Sequence, residues 1–476
     1  MSDGLLRGGE FEILQADLVL STGKVIGLKA SILNLTIFED ITQFNLTGSV
    51  MIQDAMNLAS YGPIIGQEYF KLKIRTPSLK GEDMIMNYSE NAFMVTSLDK
   101  RERTSGGTQA SVLTFCSKEF VVNQRSIVRR TLVGSWSHIV EQMLRQDLSC
   151  AKLFYNEPSS ESKKIIAPNI RPYSVINMAM QRALSKRHAD PTYIFFENTR
   201  GFHFRTLGHL YTGSPLMKYT KSAPSTITDG KGATDAGKNL HNIENYVIAS
   251  APDTVYNYRT GIYSSELIVH DIVSKSYENY TYNYLMDFNK QRHVDGVVGG
   301  KKIYPLANPL PHSPDGKNVS SYPAKQYLQP TTSWDTDTSI QDDYYNMPYT
   351  PHNPQASVMS RNSQFAMLET GLQVNLDVLG TTAIAAGDVV ECNIPYTGTY
   401  TTTQNEKYDP LYKGKFLIKA LRHDFNQASS EHKISMNLVK DCLIDPLVTP
   451  TDNHEPKANK SKRTVPVDWA TAGFND

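Results

Sequence analysis

From Leu46 to Gln53 the chain alternates: Leu46, Gly48, Val50 and Ile52 fall on one side, and Thr47, Ser49, Met51 and Gln53 on the other. A period of two marks a half-buried strand. Further strands are predicted at Tyr69–Ile74, Phe93–Leu98 and Ser111–Phe115, the last two paired as a hairpin through the turn Ser105-Gly106-Gly107. The period changes after residue 122. Ser135–Leu148 carries Ile139, Val140, Met143 and Leu144 at helical spacing, and Ser174–Arg187 carries Val175, Ile176, Met178, Ala179, Ala183 and Leu184. Both read as amphipathic helices with a serine near the start as cap. Strands around Tyr193–Glu197 and Phe202–Arg205 follow, with Arg200-Gly201 as their turn.

These changes divide the chain. Residues 1–122 read as β. Residues 123–240 read as a small α/β domain with two helices, ending in a glycine-rich loop. Residues 241–285 return to β, with seven of the 26 tyrosines between Tyr256 and Tyr284. Residues 286–363 hold nine of the 24 prolines, between Pro305 and Pro354, and predict an extended insertion without regular helix or central strand. Residues 364–447 are β again, and 448–476 form an extended polar tail that ends in the apolar run Trp469 to Phe474.

An internal repeat is the most informative pattern. Phe93–Leu98 matches Phe416–Leu421 at an offset of 323, and without a gap Leu113 and Phe115 meet Met436 and Leu438. Upstream, Gly66–Phe70 loosely matches Gly387–Glu391. A second offset, 217, aligns Leu46, Val50, Ile52 and Asp54 with Tyr263, Leu267, Val269 and Asp271. The offsets differ by about 105 residues, which places an insertion inside the second copy.

Composition narrows the function. Lys plus Arg and Asp plus Glu are each 48, so a uniformly basic nucleic-acid coat is excluded. At 476 residues there is chain for three or four domains. The start predicts no secretory signal, and no apolar run approaches a membrane helix. Cys116, Cys150, Cys392 and Cys442 form no C-x-x-C pair; buried thiols in a reducing cytoplasm are expected.

Catalytic signatures are weak. Gly232-Ala-Thr-Asp-Ala-Gly-Lys-Asn239 nearly matches a nucleotide P-loop but has Asn239 where Ser or Thr is needed, and no apolar strand precedes it. The 12 histidines form no zinc motif; His423 and His432 flank a predicted hairpin turn and read as exposed strand-end residues. Glu141 reads as a solvated helix-face residue, and no acidic pair stands out for glycoside hydrolysis. The tyrosines at 256–284 read as strand and interface composition rather than a glycan site. No catalytic, cofactor-binding or metal-binding residue is assigned.

Leu35-Thr36-Ile37-Phe38-Glu39-Asp40-Ile41, Gly48-Ser49-Val50-Met51-Ile52-Gln53-Asp54, Pro63-Ile64-Ile65-Gly66-Gln67-Glu68, Ala386-Gly387-Asp388 and the block Gly414–Asp441 carry a resemblance. In them the chain resembles the central baseplate hub proteins of contractile-tailed phages, which are related to the hub of type VI secretion spikes. The likeness spans residues 10–125 and 240–445. It implies a mainly β fold with a small α/β domain and two related β-barrels, the second split by the Pro-rich insertion. The barrels would be 1–122 and 241–285 plus 364–447.

The resemblance further implies a non-enzymatic structural protein of the virion tail, assembled in the host cytoplasm. Its homotrimer would be a pseudo-sixfold ring joining the hexameric tail tube protein to the trimeric spike protein. The Pro-rich insertion, which the resemblance does not cover, is expected to reach outwards to neighbouring baseplate proteins. DNA would pass through during genome ejection without stable nucleic-acid binding, so the lumen is expected not to be strongly positive. No cofactor and no membrane insertion are implied. The alternatives are the hub of a phage-tail-like or type VI injection machine, a tail-associated peptidoglycan hydrolase, or a glycan-binding adhesin.

Overall fold

The structure, a computed structural model, describes residues 9–54, 64–76, 84–103, 109–160, 162–221, 240–250, 253–272, 275–296, 302–307, 318–331, 354–395 and 408–446. The turn Ser105–Gly107, the P-loop-like stretch 232–239 and the tail from Val448 lie outside the described residues.

Alternating sequence builds the first domain. Its strands are β1 (Glu12–Val19), β2 (Val25–Gly27), β3 (Ile32–Asp40), β4 (Thr47–Asp54), β5 (Tyr69–Thr76), β6 (Met84–Arg103) and β7 (Gln109–Ser117), in the sheet order β3-β4-β7-β6-β5-β1-β2. Gly48, Val50, Ile52 and Asp54 of β4 are buried, as the period of two predicts. Val50 and Ile52 meet Leu35, Ile37, Phe70, Phe93 and Phe115 in one core.

The α/β domain follows. It comprises α1 (Lys118–Arg125), β8 (Thr131–Ser135), α2 (Trp136–Gln142), β9 (Phe154–Asn156), β10 (Ser162–Ile166), α3 (Pro172–Arg182), β11 (Tyr193–Asn198), β12 (Gly201–Thr206) and α4 (Leu207–Tyr211). Ser135 caps α2 by accepting the His138 amide at 3.3 Å, and the helix runs on as a π-type turn over Met143–Asp147. Ile139, Val140, Met143, Leu144, Val175, Ile176 and Ala179 pack on Phe195, Phe202 and Phe204, so the helical stripes cover the aromatic hairpin. The second helix differs from expectation at its start. Ser174 is not its cap: Pro172, with φ already set for a helix, opens α3 two residues earlier.

The second barrel begins with β13 (Lys218–Thr220) and β14 (Ile243–Ser250). The chain then leaves it through α5 (Thr254–Thr260), β15 (Ser264–Asp271), β16 (Ser276–Asn283), α6 (Tyr284–Asp287), β17 (Tyr304–Pro305), β18 (Lys325–Thr331) and α7 (Pro354–Thr370). It returns in β19 (Leu372–Leu379), β20 (Val389–Pro395), β21 (Tyr408–Asn426) and β22 (Glu431–Lys440), followed by the short β23 (Cys442–Leu443). The order is β14-β19-β22-β21-β20-β13, and a bridge from Thr220 to Asn242 brings β13 back to the foot of β14.

Two expectations are corrected here. The offset of 217 does not hold. In the first barrel Val50 of β4 faces Leu113, and in the second Leu376 of β19 faces Met436, so the counterpart of β4 is β19. The strand that had been aligned with it, β15, lies in a separate sheet of order β16-β15-β18. There Leu267 and Val269 pack with Met359 and Met367 of α7. Apolar phase alone does not tell one sheet from another. The Pro-rich stretch also ends in a regular helix: Pro354 sits at the start of α7, where a missing N–H does no harm. Pro330, in a strand of the same stretch, lies on the edge strand β18.

Candidate functional site

The repeat is a structural one, in register. Val95 faces Phe115 and Leu98 faces Leu113 in the first hairpin; Ile418 faces Leu438 and Leu421 faces Met436 in the second. Two of the irregularities recur. The ladder slips between Val95 and Ser97, and again between Ile418 and Ala420. It slips between Ile32 and Asn34 in β3, and between Ile243 and Asn245 in β14. A bulge bends and twists its strand, so shared bulges mean shared curvature. Gly66 (φ 84°) and Gly387 (φ 90°) turn the chain into equivalent strands through a left-handed conformation that favours glycine. Next to each, a carboxylate holds the loop: Glu68 accepts the amides of Ile65, Gly66 and Gln67, and Asp388 accepts that of Ala385.

The two barrels share one sheet. β21 pairs with β20 up to Leu417 and then, on the same edge, with β3 from Ala420 to Asn426. The result is a continuous run of eight strands, β14-β19-β22-β21-β3-β4-β7-β6. Its solvent face reads across strands in rows. One row is Asp377, Ser435, Arg422, Phe38 and Thr47. Another is Lys433, Asp424, Thr36, Ser49 and Thr114. Ser435 donates to Asp377 and Asn437 to Asn375, each at 2.7 Å. Hydroxyls and amides dominate, with charges of both signs. A concave groove of about 1050 Å³ lies over the seam between β3 and β21, with Phe38, Thr47, Thr96, Asn375, Arg422 and Asn437 among its walls.

Beneath the seam the groups are buried. His423 Nδ1 lies 3.0 Å from His432 Nε2, and His423 Nε2 lies 3.5 Å from Glu39. The expectation of exposed strand-end histidines is therefore overturned: both are fully buried, and Phe425 stacks on His432 at 4.1 Å. They point inward because the β21–β22 hairpin presents them on its core face. Burial, then the neighbouring His423, keeps His432 well below the ordinary histidine range.

A second buried cluster joins the α/β domain to the first barrel. Lys152 donates to Glu119 at 2.8 Å and to Glu197 at 2.6 Å, and Glu197 accepts the amide of Leu46. Burial opposes the charge on Lys152, but Glu197 and Glu119 outweigh it and raise its pKa. Burial, and then Glu119, holds the Glu197 carboxyl above its usual range against the pull of Lys152. No sequence signal marked this cluster, because its members lie far apart along the chain.

The other residues singled out by sequence stay apart. Cys116 and Cys442 are buried and free, as are Cys150 and Cys392. Burial pushes the Cys116 thiol up to about 11 and that of Cys392 to about 12, which suits packing rather than nucleophilic attack. Glu141 is exposed on α2. Of the tyrosines, Tyr263, Tyr282 and Tyr284 are core residues, whereas Tyr277 is 70% exposed on β16. Among the described residues no group of three His, Cys, Asp or Glu is placed to hold a metal ion, and no helix is long and apolar enough to cross a membrane.

No family model and no curated relative matches the sequence. Solved structures do. A tail protein from Neisseria meningitidis MC58 superposes with a TM-score of 0.50 at 11% identity, over 91% of this chain and 97% of that one. The 43 kDa tail protein of prophage MuSo2 from Shewanella oneidensis gives 0.47 at 9% identity, over 90% and 98%. The E. coli c3393 protein, a component of the type VI secretion system, gives 0.38 at 7% identity, over 90% and 76%. The chain thus shares the fold of the Neisseria tail protein along most of its length.

Proposed function

We propose that the chain is a structural baseplate hub of a contractile phage tail. In this reading three copies close into a ring of six near-equivalent barrels. One face receives the hexameric tail tube, the other the trimeric spike, and the ring forms part of the channel for DNA. The protein works by geometry and not by catalysis, in the virion tail. The observation that carries the reading is the in-register repeat. A chain that holds two copies of one barrel, bulges included, makes a threefold ring present six similar surfaces. The shared tail-protein fold supports it. So does the solvent face of the continuous sheet: a surface of Thr, Ser and Asn with charges of both signs does not hold phosphates as clustered Lys and Arg would. The insertion, which leaves Tyr277 and Leu328 exposed on its outer strands, would meet neighbouring baseplate proteins.

The solution mass tests this. The chain is 53.3 kDa, so light scattering should give about 160 kDa, alone or with the cognate spike protein. A monomer that ignores the spike at every concentration overturns the ring. Release of fragments from purified peptidoglycan would replace the reading with the hydrolase alternative.

A further inference from the structure

Zero net charge conceals a segregation of charge between domains. From Lys118 to Tyr211 the α/β domain holds fourteen Lys and Arg against seven Asp and Glu, a formal charge of +7, and the rest of the chain carries the matching −7. Nine of the 18 arginines fall in this stretch. Most of its acids are used internally. Glu119, Glu157 and Glu197 are buried, Asp190 accepts from the amide and hydroxyl of Thr192, and Asp147 is paired with Arg130. Among the described residues Glu141 is the one carboxylate of the domain that stands exposed. The exterior of the domain is therefore positive.

On one sheet face the cations surround an apolar strip. In the β8–β10 ladder Thr131 faces Ile166 and Val133 faces Lys164. These residues lie on the outer side, because Leu132 on the inner side packs in the domain core. Past the ladder Val128 bridges Ile170, which sets Ile127 opposite Arg171 and Arg129 opposite Asn169. Ile166, Ile127 and Val133 are 74%, 53% and 41% exposed. Arg125, Arg129 and Arg171 are exposed too, and have no carboxylate partner among the described residues; Arg129 donates to Asn169.

We propose that this face docks an acidic segment of a different baseplate protein, its carboxylates on Arg125, Arg129 and Arg171 and its apolar side chains on Ile127, Val133 and Ile166. This rests on the baseplate reading above but not on the ring. The composition is that of a protein interface, where Arg is enriched and Lys depleted. A guanidinium fork takes a carboxylate through two parallel hydrogen bonds, which a lysine cannot do. Duplex DNA would satisfy the arginines with its phosphates and leave the three aliphatic side chains in water. A second copy fits less well. The exposed apolar strands of the insertion, β16 and β18, carry one Glu and one Lys between them and bring no complementary charge.

Carbodiimide coupling in purified tails tests the contact. The reagent joins lysine amines to carboxylates and leaves guanidinium groups untouched, so R129K and R171K turn two arginines into reporters at unchanged charge. Each variant should gain a link, absent from wild type, to Asp or Glu within one short stretch of another tail protein. A synthetic peptide of that stretch should bind the purified chain, and I166N and R129E/R171E should each weaken it by about tenfold or more. Tails that contain the chain but give no new link in either variant, while its native lysines link elsewhere, overturn the docking and leave the baseplate reading standing. Links only to other copies of this chain overturn it as well, as does a peptide that binds all the variants equally. Retention of duplex DNA that R129E/R171E abolishes, without a new protein link, assigns the face to phosphates instead. Purified tails that lack the chain overturn the baseplate reading itself.

Discussion

Glu39 accepts the backbone N–H of Ala386 at 2.7 Å, joining β3 of the first barrel to the loop that opens β20 of the second. Its other oxygen accepts the amide of Thr199, at the tip of the β11–β12 hairpin, at 3.2 Å. Three domains therefore meet on one buried carboxylate. Glu39→Ala strands one buried and one half-buried amide and opens a cavity, and should lower the unfolding free energy by about 2–5 kcal/mol. Urea denaturation reads this directly. A loss under about 1 kcal/mol would mean that water or a side chain replaces the carboxylate.

Lys152 neutralises two buried carboxylates, so its removal leaves like charges facing each other. Lys152→Met should cost about 3–5 kcal/mol. The triple variant K152M/E119L/E197L removes the charges together and should recover much of that loss. If the triple variant is less stable than K152M, the cluster is held by its hydrogen bonds to the backbone, such as Glu197 to Leu46, rather than by charge balance.

Gly48 faces Phe115 in the first barrel; at the equivalent place Val374 faces Leu438. A Cβ on Gly48 would lie 2.4 Å from the Phe115 ring. The repeat thus holds a small-plus-large pair in one copy and two medium residues in the other. Gly48→Val should destabilise by about 2–4 kcal/mol, and G48V/F115L should be milder than the single variant. Thermal melts of wild type, G48V, F115L and the double variant decide it. Additive losses would mean that the contact between residues 48 and 115 is not what the substitution disturbs.

His203 and His432 set an acid limit. Burial, then Arg205 and Arg200, lowers the His203 pKa to about 3, and His432 is held well below its ordinary value by burial and His423. Unfolded histidine titrates near 6.5. Both folded values lie lower, so unfolding takes up protons. Their contribution is whole above about pH 6.5 and falls as the pH drops, by up to about 1.4 kcal/mol per unit for each. In His203→Gln one of these slopes disappears. Its stability should fall less steeply than wild type between pH 6.5 and 4, by chemical denaturation. Parallel curves would show that His203 is not the group being titrated.

The hairpins of the two barrels were legible because each carries a long apolar phase through a turn, and phase is what a one-sided sheet demands. Leu98 with Leu113 and Leu421 with Met436 could be aligned on that basis alone. The first strand of the second copy could not. β15 has the same phase as β4 and ends in the same aspartate, yet its apolar side rests on a helix. The insertion thus interrupts the second barrel after β13 and β14. The histidines escaped for a different reason: near a hairpin end, a polar residue reads as solvated unless its partner is known. His423 meets His432 across the hairpin and lies beside Glu39, on a strand from the other end of the chain.

The seam between β3 and β21 has a kinetic consequence. In the proposed ring of three such chains, half of the joints are made when each chain folds, and only half await collision. Joints within one chain form at the effective concentration set by its own connections, independent of how dilute the protein is. Assembly then asks for an encounter of three bodies instead of six, and dilution opens the ring only at every second joint.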